Sequence, residues 1–535
     1  MRYRCGSCFV CLMAAGCFAQ PPETPAISLI AGAAGPGEWW QGVPQGSIFS
    51  VYGTSLAPYA AQPAGLPLPT VLGGARVRIW ADAPLSILLG EAPLLYVSPR
   101  QINAILPSGI PAGTRYATVA LGTVESGAAS IAVIAARFSA FAMDSAGAGP
   151  AAIQQVDEAG QASLNRLSAP AVPGQPMTLW GTGLGALPSG TDTASPAAGS
   201  LRDDVSVLVA GIPIAPFYAG RAPGLPGVDQ INFRLPENVP LRCFVPLVVR
   251  TGAAASSVVT LAVSAQGEPC ASEFGLPPGS LASLDAGGVV RGAVLSVTTA
   301  TDASTSAVTQ QTEAWMAEYD AASLSLLANT TLLPLADPAG VCAHRAYTLR
   351  LHMPGPLLET GIYGVRRLSG WMTGSCLSAV TVTDGVLQGG ACASPFEFAG
   401  SLGSAATAFH ATGALPAPRA ASDIGGLTVD GAGLWWSAAS PGAADRIVIA
   451  TGSQFSYGGN IFGYTAMGNE LACQVEAGRA SAAFPPAEFA WAHSKPTSTG
   501  VSASLVAADG TLFPPGASQL DFVLVRTRTG TVARQ

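Results

Sequence analysis

Cysteine and histidine are the scarce, chemically distinctive residues of this 535-residue chain, ten and four in number. Cys5, Cys8, Cys11 and Cys17 fall within the first nineteen residues, and Cys243, Cys270, Cys342, Cys376, Cys392 and Cys473 follow. An even set beyond an export signal reads as disulfides, and six cysteines leave fifteen connectivities open. Cys243 and Cys270 lie close enough in sequence to close their own loop, worth roughly 3.5 kcal/mol on the chain-entropy model. The other four would then staple the C-terminal region. A zinc site drawn from Cys342-Ala343-His344 with Cys376 and Cys392 would lack the close C-x-x-C pair such sites use, so disulfides are the better expectation. No motif asks for a metal or any other cofactor.

His344, His352, His410 and His493 all lie in the C-terminal half, so any Ser/His or metal site must draw on them. His352, in Leu349-Arg350-Leu351-His352-Met353, alternates as a strand side chain does. No G-x-S-x-G elbow, phosphate loop or H-E-x-x-H occurs. Gly53-Thr54-Ser55-Leu56-Ala57 comes nearest but lacks the last glycine, and its second copy carries Gly183 where Ser55 stands, which fits a turn after a strand. Asp203-Asp204 and Glu313/Glu318 would serve glycoside hydrolysis only if a fold held two carboxylates ~5–10 Å apart across a cleft. Asn329-Thr330-Thr331 matches the glycosylation sequon, a short match that chance supplies often. The best binding lead is aromatic. Trp435-Trp436 follows a predicted Asp-Gly turn, and neighbours on a strand point to opposite faces, so one indole could stack on a sugar; the plainer alternative is that one fills the core and the other packs under a loop. Trp39-Trp40 offers a weaker version of the same case.

These residues need elements to hold them, and composition limits which. Charged residues are 11% and apolar residues 49%, with 63 glycines and 43 prolines, so short strands joined by many turns are favoured over disorder. The net charge is −7 with Lys495 the single lysine, and no basic cluster exists to neutralise a run of phosphates, which argues against nucleic acid. Arg2 and Arg4 precede the apolar run Cys8–Phe18, which reads as a signal peptide over residues 1–19 cleaved after Ala19. A competing reading makes Ala14-Ala15-Gly16-Cys17 a lipoprotein signal with a lipid anchor on Cys17. No later stretch is long and apolar enough to predict a transmembrane helix. A secreted or cell-surface location follows as the expectation.

An internal repeat organises the first half. Gly53-Thr54-Ser55-Leu56 recurs as Gly181-Thr182-Gly183-Leu184, offset by 128 residues, and Gln101-Ile102-Asn103 recurs as Gln230-Ile231-Asn232, offset by 129. Between the anchors Val77/Ile79 match Val205/Val207, Val119/Leu121 match Leu247/Val249, and Ile131/Val133 match Val259/Leu261. Arg76 and Arg78 fall on the water-facing positions. Shared period-2 patterns predict two copies of one antiparallel β-sandwich, over residues 25–136 and 137–268. The segments Trp80–Gly90 and Ala219–Asp229, where the copies differ in length, read as surface loops.

Three strings carry a more specific resemblance. They are Gln45-Gly46-Ser47-Ile48 with Gly53-Thr54-Ser55-Leu56-Ala57, then Pro67-Leu68-Pro69-Thr70-Val71-Leu72-Gly73-Gly74, then Pro93-Leu94-Leu95-Tyr96-Val97-Ser98-Pro99-Arg100-Gln101-Ile102-Asn103. Together with Gly149-Pro150-Ala151-Ala152 and Gly181-Thr182-Gly183-Leu184-Gly185, residues 25–265 resemble the Solibacter-type C-terminal domain family of secreted acidobacterial proteins. The resemblance implies tandem immunoglobulin-like (IPT/TIG-like) sandwiches in an exported protein and implies no catalytic residues. The family unit usually ends its protein, whereas here residues 266–535 follow it.

Gly275-Leu276-Pro277-Pro278-Gly279-Ser280 predicts a linker over residues 269–283. In 284–535, Asp384-Gly385, Asp430-Gly431 and Asp509-Gly510 each predict a hairpin between apolar runs. Thr305–Ala328 reads as a helix or as strands. The whole is mainly β: tandem immunoglobulin-like β-sandwiches, then a β-rich, disulfide-containing region of one or two domains. The functional expectation is a non-catalytic exported protein, structural, adhesive or ligand-binding, whose partner is an extracellular protein or polysaccharide. The alternative is an exported hydrolase with its site in 284–535 and the sandwiches as accessories.

Overall fold

A computed structural model describes residues 24–34, 42–143, 149–188, 191–194, 196–252, 254–266, 268–302, 304–331, 342–349, 366–382, 387–403, 409–414, 427–430, 433–437, 446–455, 465–474, 481–484, 501–513 and 519–534; for 342–349 and the strands between 427 and 513 the description is of backbone alone. The expected signal peptide with Cys17, Trp39-Trp40, His352, His493 and Asp384-Gly385 lie outside the described residues.

The first sandwich is built from short alternating strands. β1 (Ala26–Gly32), β2 (Val43–Pro44), β3 (Ile48–Thr54), β4 (Ala75–Trp80), β5 (Leu88–Glu91), β6 (Leu94–Val97), β7 (Gln101–Ile105), β8 (Gly113–Leu121), β9 (Val124–Glu125) and β10 (Ala129–Ile134) divide into two sheets. One runs β1-β3-β7-β6 and the other β2-β10-β8-β4-β5, with β9 on β8. β2 meets β10 in parallel while the other pairs are antiparallel, the arrangement of an immunoglobulin-like sandwich. β4 shows the logic of the sequence: Ala75, Val77 and Ile79 are buried, while Arg76, Arg78 and Trp80 alternate outward. Phe49, Val51, Leu94, Ile102, Val119 and Val133 fill the core between the sheets.

The second sandwich repeats the plan with β11 (Ser139–Ala140), β12 (Ile153–Val156), β13 (Ala162–Leu164), β14 (Pro176–Thr182), β15 (Val205–Val209), β16 (Ile212–Ile214), β17 (Tyr218–Arg221), β18 (Asp229–Arg234), β19 (Val245–Thr251), β20 (Ala254–Ala255) and β21 (Val259–Leu261). Its sheets run β13-β12-β14-β18-β17, with β11 on β14, and β16-β15-β19-β20, with β21 on β19. Here the first strand is split: Ser139 faces Thr182 and Ile153 faces Leu179, as Ala26 faces Thr54 and Ile30 faces Val51 in one unbroken strand. Ser50 faces Asn103 as Thr178 faces Asn232, at the offsets the motifs give.

The other strands correct the sequence alignment by two residues. Ser126 Oγ accepts the Val119 amide at 2.9 Å, and Ser256 Oγ accepts the Val249 amide at 2.9 Å. Val77 faces Val119, and Val207 faces Val249. Ile131 and Val133 therefore correspond to Leu261 and Val263, not to Val259 and Leu261. A slip of two preserves every inward and outward position, so alternation alone could not detect it.

The C-terminal region comprises α1 (Pro278–Asp285), β22 (Val290–Asp302), β23 (Val308–Tyr319), α2 (Ala321–Thr331), β24 (Cys342–Leu349), β25 (Arg366–Arg367), β26 (Gly370–Gly374), β27 (Leu377–Val382), β28 (Leu387–Gly389), β29 (Phe396–Leu402), β30 (Phe409–Gly413), β31 (Leu427–Asp430), β32 (Gly433–Ser437), β33 (Arg446–Phe455), β34 (Thr465–Gln474), β35 (Ser481–Phe484), β36 (Val501–Phe513) and β37 (Phe522–Arg534). Nine strands form one sheet, β24-β34-β33-β36-β37-β22-β23-β25 with β28 on β23, accompanied by β27-β26-β29-β30 and β31-β32-β35. Leu295, Met316 and Val523 of the large sheet pack on Met372, Phe396 and Phe398 of the four-stranded one. Thr305–Ala328, expected as a helix or a pair of strands, is instead one strand followed by a helix, β23 and then α2. Asp430-Gly431 does lie between paired strands, since Asp430 faces Gly433. Asp509-Gly510 does not: it sits within β36, opposite Thr527 and Arg526. β36 and β37 pair antiparallel as far as Phe513 facing Val523, and in the sequence Pro514-Pro515-Gly516, the stronger breaker, follows β36.

Segment 269–283 is no open linker. Phe274, Leu276, Leu281 and Leu284 are buried with Cys243 and Phe244 of the second sandwich and Val294, Phe522 and Leu524 of the large sheet. Its prolines start a helix: Pro278 occupies the first turn of α1, where no amide hydrogen bond is lost.

Candidate functional site

The recurrent motifs prove architectural. Gly53 and Gly181 admit the neighbouring first strand: a Cβ on them would lie 2.0 Å from Ala26 O and 2.4 Å from Ser139 O. Ser55 has φ +54° and Gly183 φ +111°, so the decoy nucleophile is a left-handed turn residue, with glycine in the second copy where a Cβ would meet Arg137 O at 2.1 Å. Asn103 Oδ1 accepts from Gln101 and Ser50, and Asn232 Oδ1 from Gln230, giving Gln-x-Asn a side-chain ladder along the strand.

Three of the four acidic candidates are engaged with neighbours, Asp203 being exposed. Asp204 accepts from Arg202 at 2.7 Å, which lowers its carboxyl below the usual value. Glu318 meets Arg291 at 3.4 Å and Glu313 accepts from Gln311 at 3.1 Å. His410 is exposed on β30, 3.9 Å from Glu397. Among the described residues no group of three His, Cys, Asp or Glu side chains is placed to hold a metal. Asn329 falls within α2. Cys243 is bonded to Cys270, and Cys376 to Cys392. Trp435 and Trp436 lie on β32, opposite Thr428 and Leu427 of β31 and Ala483 and Ala482 of β35; the surroundings of their rings lie outside the description.

Two places emerge that the sequence did not reveal. The first is the joint between the sandwiches. Segment Ala219–Asp229, expected as a surface loop, supplies the buried pair Arg221 and Asp229, 1% and 0% exposed. Arg221 Nη1 donates to Asp229, and Nη2 donates to Gly46 O of the first sandwich at 2.7 Å and to Gly185 O at 2.8 Å. Asp229 also accepts the Leu184 amide at 2.7 Å. Burial pushes its carboxyl up, and Arg221 with these amides opposes that. Thr182 Oγ1 accepts the Ile48 amide at 2.9 Å and donates to Gly227 O at 2.7 Å, while Ser108 and Asp192 pair at 2.8 Å. Ile48, Leu68 and Ile105 pack there with Phe141 and Val228. The two sandwiches keep separate cores and meet here in a small buried cluster of their own.

The second is the outer face of β4, β5 and β8 on the first sandwich. Arg76 meets Glu91 at 3.1 Å, and Arg78 meets Glu91 at 3.3 Å and Glu125 at 3.1 Å. Thr118 Oγ1 accepts from Trp80 Nε1 at 2.9 Å and donates to Glu125 at 2.5 Å. Tyr116 stands opposite Trp80. Arg78, Glu91 and Glu125 are 29%, 22% and 31% exposed, and Trp80 is half-buried. In the second sandwich the positions of Arg78, Thr118 and Glu125 carry Leu208, Val248 and Ala255, all buried, with Val258 packed against them. At these three positions the second copy is apolar and covered, with Ser206 and Arg250 beside them where the first has Arg76 and Ala120, whereas the first copy keeps charges and an indole toward solvent. Arg76 and Arg78 were legible as outward residues, but only the sheet register brings Glu91 and Glu125 to them.

No family model and no curated protein matches the chain. Twenty-one chains of solved structures do. Domains 5–6 of the S-layer protein SbsC match at 14% identity over 45% of this chain and 99% of that one, TM-score 0.14. Domains 4–9 of the same S-layer protein match at 10% identity over 94% and 65%, TM-score 0.14. The native conformation of E. coli alpha-2-macroglobulin matches at 12% identity over 95% and 36%, TM-score 0.12. TM-scores this low carry no argument about fold or function, and the fold class rests on the sheets themselves.

Proposed function

We propose that this chain is a non-catalytic exported protein of the cell surface whose fused immunoglobulin-like sandwiches hold an open face toward an extracellular protein or polysaccharide. The contrast between the two copies of that face supports the reading. Ion pairs as exposed as Arg78–Glu91 contribute about 1 kcal/mol or less each, so the apolar covering of the second sandwich would stabilise the first at least as well. What the charged face adds is hydrogen-bonding capacity beside a half-exposed indole, the residue types that dominate binding surfaces. The basic n-region, short apolar run and paired cysteines support export.

Cells making the full chain and an Arg78→Ala/Trp80→Ala variant provide the test. Protease added to intact cells should remove the protein, and the variant should be released to the medium about fivefold more than the wild type while its circular dichroism still shows the folded β-structure. Protein shielded from the protease, or equal partition of the two, contradicts the proposal.

A further inference from the structure

Two cysteines beyond residue 19 remain after Cys243–Cys270 and Cys376–Cys392 are joined, and the sheet places them opposite one another. β24 and β34 run antiparallel in unbroken register from Cys342 facing Cys473 to Leu349 facing Ala466. Directly opposed residues of such a ladder hold their Cα atoms about 4.5–5.5 Å apart, inside the ~4.4–6.8 Å range that disulfides span. We propose that Cys342 and Cys473 form a third disulfide, cross-linking β24 to β34. The bond forms by thiol–disulfide exchange during export: the two thiols lose two protons and two electrons, and the incoming disulfide of an exchange catalyst leaves as a dithiol.

The position gives the bond a role. β24 is the outermost strand of the nine-stranded sheet, with β34 as its ladder partner. It also comes near β20 of the second sandwich, without pairing with it. Cys243–Cys270 ties the second sandwich to the segment that enters the C-terminal region, and Cys342–Cys473 would tie the strand beside that sandwich to the body of the large sheet. Two cross-links would then flank the joint, and the loop closed by the outer one would enclose Cys376–Cys392. The inference rests on register and cysteine count and stands apart from the reading of the open face.

Peptide mapping of the full chain recovered from an oxidising compartment tests it directly, with free thiols alkylated before digestion and no reductant present. The expected result is a peptide pair linked through Cys342 and Cys473. Alkylated thiols at both positions, or a link from either one to any other cysteine, would overturn it. Hydrogen exchange supplies the second measurement: the β24 amides should exchange faster in Cys342→Ser/Cys473→Ser, and equally faster in wild type after reduction. Exchange unaltered by both treatments would remove the stapling role.

Discussion

Arg221 and Glu273 show how single buried groups set the behaviour of the joints. Replacing Arg221 by alanine leaves the Asp229 carboxylate buried without its cation and strips Gly46 O and Gly185 O of their donor. Breaking a buried pair on one side costs about 3–5 kcal/mol, so Arg221→Ala should lower the unfolding free energy of the paired sandwiches by that order in urea titration. Replacement of both partners by apolar residues of similar volume should cost far less. Glu273 sits beside Cys243–Cys270, where its Oε1 accepts the Phe244 amide at 3.0 Å and its Oε2 is shut from solvent without a partner among the described residues. Burial raises its carboxyl from 4.5 to about 7, against the pull of nearby amides and Arg242. The folded state then holds a proton that the unfolded chain releases between these values. Its contribution to stability is complete below pH 4.5 and is lost as pH rises through about 7. Stability of this joint should therefore fall by roughly 3 kcal/mol across that window, and Glu273→Gln should flatten the profile. A wild-type profile equally flat would contradict the assignment.

At the scale of elements, the turn after β3 and after its counterpart β14 is the sharpest test of the repeat. Gly183 combines φ +111° with an approach that leaves no room for a Cβ, so Gly183→Ala should destabilise by about 1–3 kcal/mol in thermal or urea unfolding. Strands were legible because one buried face imposes alternation, as in Ala75–Trp80, and glycine and proline mark their ends. The two-residue slip in Val119/Leu121 was not, because period-2 patterns look the same after a shift of two. Asp509-Gly510 misled for a related reason: a dipeptide preference is weaker than a partner strand of matching length on one side and Pro514-Pro515 on the other. The split of the first strand into β11 and β12 left no comparable mark, since its two pieces keep the pairing of one. The open face was half legible. Arg76 and Arg78 declare themselves by alternation, whereas Glu91 and Glu125 reach them only through long-range register.

On the scale of the whole molecule, the joints turn what composition suggested were separate beads into coupled bodies. The expected linker is buried because Phe274 contacts both Phe244 and Phe522, with ring centroids 6.0 and 5.1 Å apart. Asp285, at the end of α1, accepts the Leu167 and Ser168 amides at 3.0 and 2.8 Å, adding polar contacts to the same joint. Cys243→Ala/Cys270→Ala should lower stability by about 3.5 kcal/mol, with faster hydrogen exchange in the second sandwich and α1 and none in β3 or β7. Loosening confined to the cysteine loop itself would argue that the joint does not transmit the bond. The proposed role of the joined sandwiches is to present the Arg78–Trp80 face to a partner outside the cell. Hydroxyl-radical footprinting of Trp80, on intact cells and on the purified full chain, addresses it most directly. Trp80 should be labelled readily in the purified chain and several-fold less on cells, with Arg78→Ala abolishing the difference; equal labelling in both settings would contradict that role.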